Sequence, residues 1–223
     1  MYSIAIDGPS GAGKSTVADI LCEELGFVHV DTGAMYRTIG LYLLRNNIDP
    51  SDEKAVSACL GSLTLNVEYI DKKQHVYLNG EDVTPFIRTN EVSTYASKSS
   101  ALKPVRDYLL DAQRNVAKKY NVIMDGRDIG TVILPKADVK FFMSASTESR
   151  AHRRHKELLE KGEKITYEEV LSSMLERDKN DSSRKIAPAI PAEDSIPLDN
   201  SGPIEETIEF AKKIINERIN LSK

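Results

Sequence analysis

Residues 8–16 read Gly-Pro-Ser-Gly-Ala-Gly-Lys-Ser-Thr and complete the pattern G-x-x-x-x-G-K-[ST]. Glycines at this spacing let a main chain curl around a polyphosphate with successive N–H groups pointing inward. Lys14 supplies a mobile ammonium for the outer phosphates, and the hydroxyl of Ser15 or Thr16 can meet Mg²⁺. The candidate polyphosphate ligands are therefore Gly8, Pro9, Ser10, Gly11, Ala12, Gly13, Lys14, Ser15 and Thr16. Such a loop needs a strand ending where it begins and a helix starting where it closes, because the helix N-terminus adds partial positive charge. Both are present in the pattern. Ile4-Ala5-Ile6 precedes the loop, while Val17, Ala18, Leu21, Cys22 and Leu25 recur after it at helical spacing, with Gly26 as a stop.

Further charged residues stand where such a loop could use them. Asp125 ends the apolar run Val122-Ile123-Met124, and a carboxylate at that strand end can approach Mg²⁺ directly or through water. Arg127 and Asp128 follow at the strand's carboxyl end, where open α/β sheets bind ligands. The string Asp31-Thr32-Gly33-Ala34-Met35-Tyr36-Arg37 stands at the tip of the second strand. Asp31 or Thr32 can cap the next helix, and Arg37 either reaches back to a phosphate or is solvated. Arg150, Arg153 and Arg154 share a face at i, i+3 and i+4, as a solvated stripe or as a set of cations for phosphate. Arg177, Asp181 and Arg184, at i, i+4 and i+7, make either an ion-pair ladder or a fork for phosphate and sugar hydroxyls.

The elements that must hold these residues alternate, apolar run then helical pattern, which implies a parallel sheet with helices on its faces. Strands are predicted over 3–7, 28–31, 122–124, 139–143 and 196–198, and helices over 14–25, 33–46, 53–60, 104–119, 147–161, 167–180 and 204–219. Thr166 and Glu169 predict a capping box for the helix at 167. Over 63–83 the period changes to two, with Asp71-Lys72-Lys73 and Asn79-Gly80 as turns, so a small antiparallel sheet is inserted there. It either covers an acceptor or is a plain hairpin.

A length of 223 residues allows one or two domains, with 40% hydrophobic and 29% charged residues, ordinary values for a globular enzyme. The net charge of -4 argues against nucleic acid or an anionic membrane as partner. With no long apolar run and no basic, apolar leader, a cytoplasmic location and no membrane partner are expected. Cys22 and Cys59 lie in helical patterns without C-x-x-C spacing, and Cys22 is expected reduced and buried. The four histidines show no zinc-ligand spacing, so the only metal expected is the Mg²⁺ that accompanies a nucleotide. No Asn-Lys-x-Asp guanine reader occurs, which argues against a regulatory GTPase. The features together imply a site for ATP and Mg²⁺ and a second, arginine-lined anion site that fits a nucleoside monophosphate. A different small-molecule acceptor and a non-catalytic nucleotide-binding module are the competing readings.

With these motifs in their order, the chain resembles the bacterial cytidylate (CMP) kinases. The resemblance runs through Ile6–Lys14, Asp31–Arg37, Ile87–Val92, Asp125–Val132, Arg150–Arg154 and Glu176–Asp181, nearly the whole chain. It implies an α/β fold with a P-loop NTPase core, a parallel sheet flanked by helices, an inserted small antiparallel β subdomain that binds the monophosphate, and a helical lid. It also implies one domain over 1–223, with core 1–60 and 101–223, insertion 61–100 and lid 147–165. Transfer of the γ-phosphoryl of ATP to CMP, and to dCMP, would follow, in a monomer. Ser97, Arg106 and Asp128 match the residues that hold the acceptor base, and Arg177 and Asp181 those that hold its ribose. Arg37, Arg127 and Arg184 match those on its phosphate; Asp31, Thr32 and Tyr36 belong to the same acceptor-binding motif. Arg150, Arg153 and Arg154 match the lid, acting with Lys14 and Arg127 in catalysis; Ser15, where some relatives have glycine, and Asp125 stay the candidate metal ligands that the loop and the strand end offer.

Overall fold

The computed structural model describes residues 1–160 and 162–219. In chain order the elements are β1 (Ser3–Asp7), α1 (Lys14–Leu25), β2 (Val28–Asp31), α2 (Thr32–Arg45), α3 (Glu53–Leu60), β3 (Leu65–Ile70), β4 (Lys73–Leu78) and β5 (Glu81–Asp82). There follow α4 (Asn90–Ser99), α5 (Lys103–Lys119), β6 (Val122–Gly126), a π-helical turn (Ile129–Ile133), β7 (Val139–Ser144), α6 (Thr147–Glu160), α7 (Tyr167–Ser183), β8 (Ile196–Asp199) and α8 (Ile204–Arg218). Five strands form a sheet in the order β2-β6-β1-β7-β8, and β3-β4-β5 form a separate three-stranded sheet. The chain divides into two compact units, one of Val28–Val122 and one of Tyr2–Phe27 with Ile123 onward.

In the second of these units β1 pairs in parallel with β7, and β7 with β8. Ile4, Ile6, Phe141 and Met143 are buried from the sheet, while Val17, Leu21 and Cys22 of α1 and Ile208, Ala211 and Ile215 of α8 complete the core. A strand buried on both faces reads as an apolar run, which is why β1 stands out in the sequence. In β7 the run is interrupted by Lys140, whose buried Nζ donates to Pro135 O and Asp194. Cys22 is a free, buried thiol that burial pushes up to about 12. Helices α6 and α7 make their own small core from Ala151, Leu158, Val170 and Met174. The Thr166 hydroxyl accepts from Glu169 N at 3.2 Å, while Thr166 N donates to the Glu169 carboxylate at 2.8 Å, the capping box that the sequence predicts. The predicted end of α6 at Lys161 lies outside the described residues.

In the unit of residues 28–122 the antiparallel hairpin forms as its alternation predicts, Leu65 opposite Leu78 and Ile70 opposite Lys73. Its turn residues Asp71 and Lys72 have φ of 49° and 63°. Val76 and Leu78 face a core shared with Met35, Ile39 and Leu43 of α2 and Leu109 of α5. The hairpin is tied to its surroundings: Arg45 pairs bidentately with Glu81, and Tyr108 Oη donates to Leu63 O at 2.9 Å.

One helix in this unit is absent from the sequence reading. α4 covers 90–99, within the stretch assigned to the inserted β subdomain. Four of its ten residues are Ser or Thr, which usually compete with the helix for backbone partners. Here their hydroxyls turn back inside the helix, Ser93 Oγ donating to Thr89 O and Thr94 Oγ1 to Asn90 O. Thr89 caps it by accepting from Val92 N at 3.2 Å. Only Val92, Ala96 and Ser99 are buried, a stripe too small to give a strong periodic signal.

What fixes α4 is its approach to α2 at Gly40. A Cβ built there would lie 2.8 Å from Ala96 N and 2.9 Å from Val92 O, both backbone atoms that cannot rotate away. Gly40→Val should therefore cost at least about 2 kcal/mol by overpacking, despite removing a helical glycine. The expected fall in melting temperature is roughly 5 °C. An unchanged melting temperature would refute so close an approach.

Among the described residues no helix is long and apolar enough to cross a membrane.

Candidate active site

The phosphate loop leaves β1 with Gly8, whose φ is 147° and whose missing Cβ would sit 2.1 Å from Met143 O. Any side chain there would push the loop off the sheet. Lys14, at the start of α1, is 6% exposed, and its Nζ donates to Gly8 O at 2.9 Å and Pro9 O at 2.8 Å. Burial above all, and then the charge of Arg127, lower this ammonium to about 7, against the pull of Asp125 and Asp7. Ser15 Oγ donates to Asp125 Oδ2 at 2.9 Å, whereas Thr16 is exposed. A hydroxyl beside a carboxylate is a hard-oxygen donor pair that suits Mg²⁺, an ion that keeps waters and phosphate oxygens as its other ligands. Among the described residues no group of three or more His, Cys, Asp or Glu converges on a further metal position.

Two side chains outside the motif brace the loop. Asn200, just beyond β8 and 2% exposed, donates from Nδ2 to Ala12 O at 2.7 Å and accepts from Thr207 Oγ1. Asp178 of α7 accepts from Ser10 N at 3.3 Å and from Arg150 at 2.5 Å.

The arginines predicted to share one face of α6 have different surroundings. Arg150 is 4% exposed and donates to Ala145 O, Ser10 O, Asp178 and Thr147 Oγ1. It is thus no part of a solvated stripe; it bolts the loop to the base of α6. Arg153 is exposed, with a long bond of 3.4 Å from Nη2 to Asn200 O, and Arg154 pairs with Glu157.

Beyond β6 the acid–base partners of the same unit form a buried lattice. Arg127 Nε donates to Asp181 Oδ2 at 2.9 Å. Arg184 Nη2 lies 3.3 Å from Asp128 Oδ1, with its Nη1 3.9 Å from Asp181. Asp128 is 3% and Asp181 7% exposed, so these carboxylates depend on their guanidinium partners. Burial pushes Asp181 up, but the charges of Arg127, Arg177 and Arg184 prevail and hold it below the usual carboxylate range. Arg177 and Arg184 thus flank Asp181 as the spacing along α7 predicts, and Arg127 and Asp128 join them from 54 and 56 residues away.

In the unit of residues 28–122, Asp31 ends β2 and caps α2, its Oδ1 accepting from Ala34 N at 2.9 Å. Its Oδ2 takes both Arg37 at 2.8 Å and Arg88 at 3.1 Å. Gln74 of β4 clamps the Asp31 backbone, accepting from its N at 2.9 Å and donating to its O at 3.0 Å. The hairpin is therefore not decorative: it fixes the strand tip that carries Asp31. Arg37 Nε is buried without a hydrogen-bond partner, and two guanidiniums share one carboxylate, an arrangement ready for an anion. Thr32 is buried at the start of α2. Arg106, 8% exposed on α5, donates to Ser100 O and lies over the Tyr36 ring at 5.6 Å. Ser97 is half-buried on α4.

The sequence reading leaves Arg88, Gln74, Asn200 and Asp178 without roles. Arg88 and Asp178 carry a signal, since they lie in the Ile87–Val92 and Glu176–Asp181 strings; Gln74 and Asn200 reach the site only through contacts 43 and 188 residues distant in the chain.

The family model for cytidylate kinase matches residues 4–217. A cytidylate kinase of Caldicellulosiruptor bescii is 47% identical over 221 residues, covering 96% of this chain and 98% of that protein. One of Carboxydothermus hydrogenoformans is 48% identical over 216 residues, covering 96% and 97%. Among solved structures, an uncharacterized protein from Eubacterium ventriosum superposes with a TM-score of 0.52 at 13% identity, covering 98% of this chain and all of that one, a likeness of fold.

Proposed function

The chain belongs to the cytidylate kinase family, and from that membership we propose how its own residues carry out in-line transfer of the γ-phosphoryl group of ATP to CMP. The observation that carries the assignment is a set of pairings within one unit. Ser15 of the phosphate loop meets Asp125, and the next two charged side chains, Arg127 and Asp128, meet Asp181 and Arg184.

Residues 8–16 take the ATP phosphates with their main chain, and Lys14 exchanges its bonds to Gly8 O and Pro9 O for phosphate oxygens. Ser15 and Asp125 would hold Mg²⁺, which supplies neutralising charge to the phosphates it accompanies; Thr16, being exposed, is the weaker candidate. The CMP phosphate has a second pKa near 6, so its attacking oxygen is already ionised at neutral pH. No general base is required. The barrier lies in joining two anions, and the chain meets it with positioned cations.

Arg37, Arg127 and Arg184 take the acceptor phosphate, and Arg37 already carries an unpartnered Nε. Arg177 and Asp181 take the ribose, for which CMP and dCMP differ only at the 2′-hydroxyl. Asp128 accepts from the cytosine N4 amine, with Ser97 and Arg106 as further base ligands and Asp31, Thr32 and Tyr36 shaping the motif beneath Arg37. Arg153 and Arg154 on α6 neutralise the transferring group, while Arg150 joins them only by exchanging Asp178 for a phosphate oxygen. The protein acts as a monomer in the cytoplasm on this reading, since no assigned role calls for a second copy.

The test is transfer of a labelled γ-phosphate from ATP to each nucleoside monophosphate in turn. Labelled CDP as the main product is expected. ATP binding without transfer to any acceptor would leave only a nucleotide-binding module.

A further inference from the structure

Asp7 ends β1 and is 3% exposed, yet neither the phosphate grip nor the metal pair uses its carboxylate. Its Oδ1 accepts from Ile129 N and its Oδ2 from Gly130 N, each at 2.7 Å. These are the first two N–H groups of the π-helical turn, which have no partner inside it. The residue placed by sequence to serve them is Asp128, at the N-cap. An aspartate there ordinarily turns its carboxylate onto the nearby N–H groups of its own helix. Asp128 makes no such cap bond, and its Oδ1 lies against Arg184 instead.

We propose that Asp7 is a positioning residue for acceptor-base selection: by capping the π-helical turn from β1, it keeps the Asp128 carboxylate off its own helix. This inference rests on Asp128 reading the base, as proposed above.

The chemistry of the clamp supports it. Two parallel N–H groups need two acceptors side by side, which a carboxylate offers and an amide does not. Space beside it is tight: a Cβ at residue 130 would lie 3.4 Å from Asp7 Oδ2 and 3.1 Å from Lys140 Cδ. The carboxylate is also kept against its own preference. Burial pushes Asp7 up to about 6, with the like charge of Asp128 acting the same way against the two backbone bonds and Lys14. An ionised Asp7 at neutral pH therefore opposes folding, as groups serving activity rather than stability often do.

In Asp7→Asn one of the two N–H groups faces an amide NH₂, and Asp128 becomes the nearest carboxylate able to cap it. The experiment compares kcat/KM for CMP and UMP in the wild type, Asp7→Asn, Asp128→Asn and the double variant, with thermal melting of each. Asp7→Asn is expected to lower the CMP/UMP ratio at least about tenfold with the melting temperature unchanged or raised. The double variant is expected to match Asp128→Asn alone, since Asp7 acts through Asp128. An equal loss for both substrates in Asp7→Asn, or a further drop of the ratio in the double variant, overturns the inference. If Asp128→Asn itself leaves the ratio unchanged, the reading of Asp128 fails instead. Should Asp7→Asn not fold, Asp7→Ser, which retains one acceptor oxygen, is judged by the same ratio, and an unchanged ratio again overturns it.

Discussion

Lys14→Ala is expected to reduce turnover with saturating ATP and CMP by about 10²- to 10³-fold, the scale set by removing one group aimed at charge that develops in the transition state. The protein should stay folded. Lys14 is buried and its ammonium is lowered to about 7 in the folded chain, against about 10.4 in an unfolded one. Between those values the unfolded state binds more protons, so this lysine opposes folding fully below pH 7, and its penalty fades as pH rises toward 10. Removing it relieves that penalty, while the lost bonds to Gly8 O and Pro9 O return about 1–2 kcal/mol in the other direction. A melting temperature near that of the wild type with turnover gone is the expected pair of results. Near-normal turnover would refute the role of Lys14.

The fold was readable where local pattern and tertiary demand agree. β1, α1, β2 and α3 fall on their predicted bounds because an apolar run or helical spacing meets a clear stop, such as Gly26 or Gly61. α4 was not, because its serines and threonines read as loop until their hydroxyls bond within the helix and Gly40 admits it against α2. The π-helical turn escaped for a related reason: its first two N–H groups are capped by Asp7, 122 and 123 residues earlier in the chain. The site divides the same way. A phosphate loop is a local device and announces itself in nine residues, 8–16. Its braces do not: Asn200 is an ordinary residue made important by where the chain returns, and Asp178, though within the Glu176–Asp181 string, shows its bracing role only through Ser10 and Arg150. Arg150 shows the limit of spacing most plainly. Its i, i+3, i+4 relation to Arg153 and Arg154 is real, but burial beside Asp178 separates its role from theirs.

Asp128→Asn should exchange one base preference for another rather than abolish activity. The cytosine edge presents an N4 amine, which needs an acceptor, while uracil presents O4, itself an acceptor. An ionised carboxylate pairs with the first and repels the second. Asp128 is 3% exposed with Arg184 at 3.3 Å, so a mismatch there is not relieved by solvent. A site built around one buried hydrogen bond can discriminate by about 10⁴-fold. The wild type should therefore favour CMP over UMP by a factor approaching that, as kcat/KM. The asparagine has the shape of the aspartate but can donate to O4, so kcat/KM should fall for CMP and rise for UMP, narrowing the ratio by about 10²- to 10³-fold. Arg184 keeps a hydrogen-bond acceptor in the amide oxygen and retains Asp181 nearby, so the lattice around it should survive. KM for ATP should move little, because Lys14 and Ser15 bond to Gly8 O, Pro9 O and Asp125, which the substitution leaves in place. A uniform loss for both acceptors, with their ratio unchanged, would show that Asp128 supports the site's structure and leaves base selection to other groups.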